Sequence, residues 1–109
     1  MSSTSLHLPI EVPTQDLAEL CRRWKVQDLA LFGSVLRDDF GPASDIDVLV
    51  TFAPEAAWSL FDLSRMEEEL AALFHREIDL VDRRAIERSE NYIRRRKILE
   101  SPVSLYVAG

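Results

Sequence analysis

Apolar positions along the chain change their period several times, and each change marks an element. From Thr14 to about Trp24, Leu17, Leu20, Cys21 and Trp24 recur at spacings of three and four. That stripe predicts an amphipathic helix with Thr14 as its cap and Cys21 in the core. Residues 28–32 (DLALF) form a short, mostly apolar run, which predicts a strand buried on both faces. Gly33-Ser34 then turns the chain into a short helix over 34–40, ended by Gly41-Pro42. Residues 45–52 (DIDVLVTF) alternate: Ile46, Val48, Val50 and Phe52 point to one face, Asp45, Asp47, Leu49 and Thr51 to the other. Ser59 and Asp62 have the spacing of a capping box. Leu63, Met66, Leu70 and Leu73 mark the buried stripe of the helix that follows, ending near Phe74. Residues 77–81 (EIDLV) alternate again, with Ile78 and Leu80 on one face. A basic helical stretch follows, and residues 103–107 add a last strand. Helices alternating with strands predict an α/β layer structure.

Composition limits what such a structure can be. Of 109 residues, 47% are hydrophobic and 29% charged, the balance of one soluble domain. A chain of this length buries roughly two-thirds of its unfolded surface, enough for one core. The expected organisation is a loose tail over residues 1–9 and a single domain over 10–109. The tail (MSSTSLHLP) lacks the basic start and the apolar stretch of a signal peptide. No apolar run approaches the roughly 20 residues of a membrane span. One cysteine excludes an internal disulfide, so the cytoplasm is the expected compartment.

The net charge of −6 is unevenly spread: residues 1–82 carry −10 and residues 83–109 carry +4. The acidic whole argues against a domain that binds nucleic acid directly by charge. The basic last quarter either faces something acidic or is a solvated helix. Arg94, Arg95 and Arg96 cannot share one helix face, so part of that run is solvated.

Candidate chemistry lies in three places. Gly33-Ser34 joins a strand to a helix. Glycine permits a tight turn and a close approach, and the new helix offers unpaired N–H groups to a phosphate. In Asp45-Ile46-Asp47 a strand sets two carboxylates on one face. Their repulsion is removed by a hard divalent cation, Mg²⁺ or Mn²⁺, unless both simply face water. Asp79 sits in the second alternating strand among apolar residues, where aspartate is disfavoured. If that strand neighbours 45–52, three carboxylates converge as a two-metal site requires, with Glu77 a competing candidate on the same face. His75 reads as a helix-end residue and His7 as idle. Trp24, Trp58, Phe61 and Phe74 read as core rather than as platforms for a base.

Taken together, Gly33-Ser34, ten intervening residues, Asp45-x-Asp47 and a later strand Asp79 resemble the nucleotidyltransferase signature of the DNA polymerase beta-like superfamily. LFGSVLRDDFGPASDIDVLV carries the likeness, which extends over residues 10–107. It implies a mixed β-sheet flanked by helices, the palm fold of that superfamily. It implies that Gly33 and Ser34 hold the terminal phosphates of ATP, with Arg37 and Ser44 on the nucleotide side. Asp45, Asp47 and Asp79 would hold Mg²⁺ (or Mn²⁺), and Asp79 would help deprotonate the attacking hydroxyl. Val35 stands where many relatives have a basic residue, which implies one phosphate contact fewer. Larger members add a helical domain for the acceptor, and 109 residues leave no room for one. The chain therefore resembles the minimal nucleotidyltransferases, or MNT proteins. These are commonly antitoxins of HEPN ribonuclease toxins, and some move AMP from ATP onto a toxin tyrosine. The expected partners are a HEPN-family toxin and ATP, with no membrane. A binding module that neutralises a toxin by occlusion alone is the alternative. A glycosyltransferase using Asp-x-Asp would leave Gly33-Ser34 unexplained.

Overall fold

The computed structural model describes residues 12–36, 41, 44–100 and 102–108, with the Ser34 side chain outside the description. Helix α1 spans Thr14–Arg23 and buries Leu17, Leu20 and Cys21, as its stripe predicts. Its cap is Pro13 rather than Thr14, and no side chain caps it. The Pro13 carbonyl already accepts from Leu17 N–H at 2.8 Å, so the helix starts one residue earlier than a threonine cap would allow. Asp16 in the first turn and Arg22 and Arg23 in the last suit the helix dipole.

Strand β1 covers Val26–Phe32, two residues longer at its start than the apolar run alone suggests. Gly33–Leu36 follow as a single 3₁₀ turn. The rest of the helix expected over 34–40 falls outside the described residues. Strand β2 is Ile46–Phe52, and helix α2 is Leu60–Phe74. Strand β3 is Ile78–Asp82. The basic stretch forms two helices, α3 over Arg83–Glu87 and α4 over Tyr92–Leu99, before strand β4 at Val103–Val107.

The four strands lie in the order β3-β2-β1-β4. β1 is antiparallel to both β2 and β4, while β2 and β3 are parallel and joined through α2. The parallel pair demands a crossover long enough to return the chain, and α2 supplies it. The sheet is mixed and carries helices on both faces. On one face Leu29, Leu31, Ile46, Val48 and Val50 pack with Met66 and Leu70 of α2 and with the α1 stripe. On the other a smaller core gathers Ala30, Leu49, Val81, Ile86 and Ile98 under α3 and α4. Alternation puts Leu49 among polar neighbours, and this second layer of helices is why it is buried.

α2 starts with the expected capping box. Ser59 N–H donates to Asp62 Oδ2 at 2.9 Å, and Asp62 N–H donates to Ser59 Oγ at 3.2 Å. The helix ends at His75, whose left-handed φ of 57° reverses the chain towards β3. β3 is an edge strand, and the Glu67 carboxylate accepts from its Leu80 N–H at 2.9 Å. Trp24 and Trp58 meet edge to face at 4.8 Å, and Trp58 Nε1 donates to the Trp24 carbonyl. Trp24 and Phe74 are core residues as expected. Phe61 is not: it is 88% exposed beside Leu60 at the start of α2, because the apolar stripe of that helix begins only at Leu63. Among the described residues no helix is long and apolar enough to cross a membrane.

Candidate active site

β1 delivers the chain to Gly33 with φ of +76°, a left-handed value that strains any residue with a side chain. Space adds a second demand. A β-carbon on Gly33 would overlap Oδ2 of Asp47 and lie 3.1 Å from its Cγ. The glycine therefore forms a cradle into which the Asp47 carboxylate fits.

Register then sets the row of residues across the sheet. Phe32 is the partner of Asp47 in the antiparallel pair, and Asp47 is the partner of Asp79 in the parallel pair. The side chains of Asp47 and Asp79 alternate with buried Val48 and half-buried Leu80, which pack on the larger core, so both lie on the face under α3 and α4. Helix α4 stands off from the sheet at this end and leaves a cleft of about 570 Å³. One wall is Phe32, Gly33, Leu36, Asp47 and Asp79; the other is Arg94, Lys97, Ile98 and Glu100 of α4 and its end.

The remaining expected site residues fall in different places. Asp45 is exposed just ahead of β2, outside the cleft lining. Strand pairing begins only at Ile46, whose N–H donates to the Glu77 carbonyl at 2.9 Å. Glu77 is exposed and lies outside the lining too. Asp45, Asp47 and Asp79 do not close into a triplet: among the described residues no group of three acidic, histidine or cysteine side chains is gathered to hold a metal. Ser44 closes a turn, its hydroxyl accepting from Gly41 N–H at 3.1 Å and its N–H donating to the Gly41 carbonyl at 3.0 Å. Arg37 lies outside the described residues. Val35 is 1% exposed and packs into the larger core, so its side chain offers no phosphate contact.

The cleft fits a divalent cation at Asp47 and Asp79. Both offer hard carboxylate oxygens on adjoining strands, and the missing side chain of Gly33 admits one of them to the turn. Mg²⁺ is commonly held by one or two carboxylates completed by waters and substrate phosphates, so a full protein cage is not needed.

Pattern reading missed two features. Arg76 donates through Nη2 to the carbonyls of Gly41 and Ser44, both at 2.7 Å, and so ties down the loop that enters β2. Arg94 and Lys97 line the cleft, while Arg95 turns to the Ser89 carbonyl and the Tyr92 ring. A cationic pair three residues apart was visible in the sequence, but the face it takes was not.

A glycine turn thus holds one carboxylate, and a second stands beside it on the neighbouring parallel strand of a mixed sheet. The family described as Nucleotidyltransferase domain matches residues 16–103, and the chain belongs to it. Among similar proteins is one from Methanocaldococcus jannaschii named as a candidate protein adenylyltransferase. It is 32% identical over 76 residues, which is 70% of this chain and 76% of the relative. The protein adenylyltransferase MntA of Thermococcus cleftensis is 40% identical over 63 residues, 58% of this chain and 62% of the relative. A solved toxin–antitoxin structure with AMP-PNP shares the fold at a TM-score of 0.68 and 23% identity, covering 89% of this chain and 75% of the other. So does the structure of a tri-AMPylated Shewanella oneidensis HEPN toxin in complex with an MNT antitoxin, with a TM-score of 0.58 and 24% identity. It covers 87% of this chain and 70% of the other.

Proposed function

We propose that this minimal nucleotidyltransferase moves AMP from ATP to a tyrosine hydroxyl of a HEPN-family toxin and acts as its antitoxin. The observation that carries the reading is the pairing of Asp47 with Asp79 beside the Gly33 turn, in a cleft open to solvent. The similar proteins named protein adenylyltransferases support the reaction type, and the toxin complexes of the same fold support the partner.

In this reading the acceptor oxygen bonds to the α-phosphorus of ATP, the bond from that phosphorus to the bridging oxygen breaks, and pyrophosphate leaves. Asp79, exposed at the cleft edge, takes the hydroxyl proton. Gly33 and Ser34 receive phosphate oxygens at the turn. Asp47 and Asp79 would hold Mg²⁺, and Asp45 stays outside the cleft lining. The cation supplies positive charge against the phosphate when bound. In this reading a partner protein supplies both the wall for the acceptor and the hydroxyl.

The test is to incubate the chain with ATP, Mg²⁺ and a co-encoded HEPN-type protein and to weigh that protein by mass spectrometry. Gain of whole AMP units on tyrosine, abolished by chelator and by Asp79→Asn, is the expected result. A stable complex without mass gain establishes occlusion instead, and gain on RNA or a small molecule shows a different acceptor.

A further inference from the structure

We propose that Arg94 and Lys97 of α4 form a clamp for the β- and γ-phosphates of the nucleotide and hold the departing pyrophosphate. The inference rests on the nucleotidyltransferase reading of the cleft and assigns a role to the basic stretch.

Three observations carry it. First, of four successive cations, Arg94 to Lys97, only Arg94 and Lys97 line the cleft. They are three residues apart and so share one face of the helix. Second, Ile98 pins that face: it is 5% exposed in the core formed with Ala30, Leu49 and Val81. Ile98 thus anchors α4, and the exposed Arg94 and Lys97 line the same cleft as Asp47 and Asp79. Third, no ion pair among the described residues engages either cation. Arg95, by contrast, is committed to the Ser89 carbonyl and the Tyr92 ring.

Electrostatics then assigns the ligand. The carboxylate wall repels a polyphosphate and binds cations, so it suits the metal and the reacting α-phosphorus. The helix wall ends in carbonyl groups and Glu100, both unfavourable to an anion. Arg94 and Lys97 are what make this wall able to bind phosphate. ATP carries most of its charge on the β- and γ-phosphates, and more gathers on the leaving oxygen as the bond to the α-phosphorus breaks. Cations placed there bind the substrate and stabilise the departing group.

The experiment measures binding of ATP, ADP and AMP in Mg²⁺ by calorimetry for the wild type, Arg94→Gln, Lys97→Gln, the double variant and Arg96→Gln. Thermal melts check that each is folded. The double variant is expected to bind ATP about ten- to a hundredfold more weakly, ADP to an intermediate degree, and AMP within about twofold of wild type. Arg96→Gln, on the same helix but outside the cleft, is expected to match wild type for all three. With a wild type that transfers AMP, equal losses for ATP and AMP in the double variant, or an unchanged ATP affinity in it, overturns the clamp and leaves the function standing. A wild type that binds no ATP overturns both.

Discussion

Gly33 and Asp47 share the space of one side chain. A β-carbon on Gly33 would overlap the Asp47 carboxylate, and the backbone at Gly33 holds φ at +76°. Gly33→Ala therefore has two costs. The left-handed conformation costs an L-residue about 1–2 kcal/mol. The collision adds to this and moves a carboxylate of the site. The variant is expected to melt several degrees lower and to lose most AMP transfer. In an Asp47→Ala background only the backbone cost should remain. Melting curves of the four proteins of this cycle measure the coupling; strictly additive losses would show that the two residues do not compete for space.

Much of the fold was legible because its signals are local. Alternation over residues 45–52 and the spacing of Ser59 and Asp62 need no partner to be read, and both match the structure. The Asp47–Asp79 pairing is a matter of register between strands separated by α2, and a shift by one residue would have put Asp79 on the opposite face. The family signature suggested their proximity; pattern alone did not. Arg76 and the α4 cations act across more than 30 and 40 residues of sequence, on a loop and on a cleft wall, so no local period marks them. Leu49 shows the same limit in reverse, since its polar neighbours concealed a second buried face.

The capping box supplies a pH signature. The Asp62 carboxyl is held below its ordinary value of 3.8, first by the Ser59 N–H and then by the Ser59 hydroxyl. A carboxylate depressed in the folded state contributes stability above its unfolded pKa and loses it as pH falls through the folded value. Asp62→Ala should melt below wild type at neutral pH, with the gap constant until pH approaches 3.8 and shrinking below it. Paired melts across that range test this, and a gap independent of pH would show that the charge is not involved.

Cys21 is the single cysteine, 0% exposed in the larger core. Burial pushes its thiol up from 9.0 to about 12, against a smaller opposing effect of Arg22. A thiol reagent at neutral pH should therefore label the native protein only as fast as it unfolds, and labelling in denaturant should be immediate. The sign for stability follows. An acid whose folded value is raised contributes fully below pH 9.0, and the contribution is lost as pH rises from there towards about 12. Cys21→Ala should lower stability overall but flatten its alkaline decline. Rapid labelling of the folded protein would contradict the burial.

Arg76 controls how the chain enters β2. Its guanidinium bridges the carbonyls of Gly41 and Ser44 at 2.7 Å each, directly ahead of Asp45-Ile46-Asp47. Both bonds leave the single Nη2 nitrogen, which the rigid guanidinium plane aims between the two carbonyls, whereas a lysine ammonium is a point donor on a flexible stem. The left-handed turn at His75 presents Arg76 to this loop, just before Ile46 N–H bonds the Glu77 carbonyl. Arg76→Ala releases the loop while β2 keeps its ladders to β1 and β3. The expected result is a fall in kcat of about tenfold or more, since misplacing a reacting group by about 1 Å costs up to a hundredfold. Binding of AMP should change little, and Tm should fall by only a few degrees. Arg76→Lys, which keeps the charge and a donor nitrogen but not the rigid plane, should recover part of the rate. Calorimetry, melting curves and the transfer assay on the same three proteins separate the effects. A drop in Tm with an unchanged kcat would make Arg76 a purely structural brace, and full activity of Arg76→Lys would show that the guanidinium plane is not required.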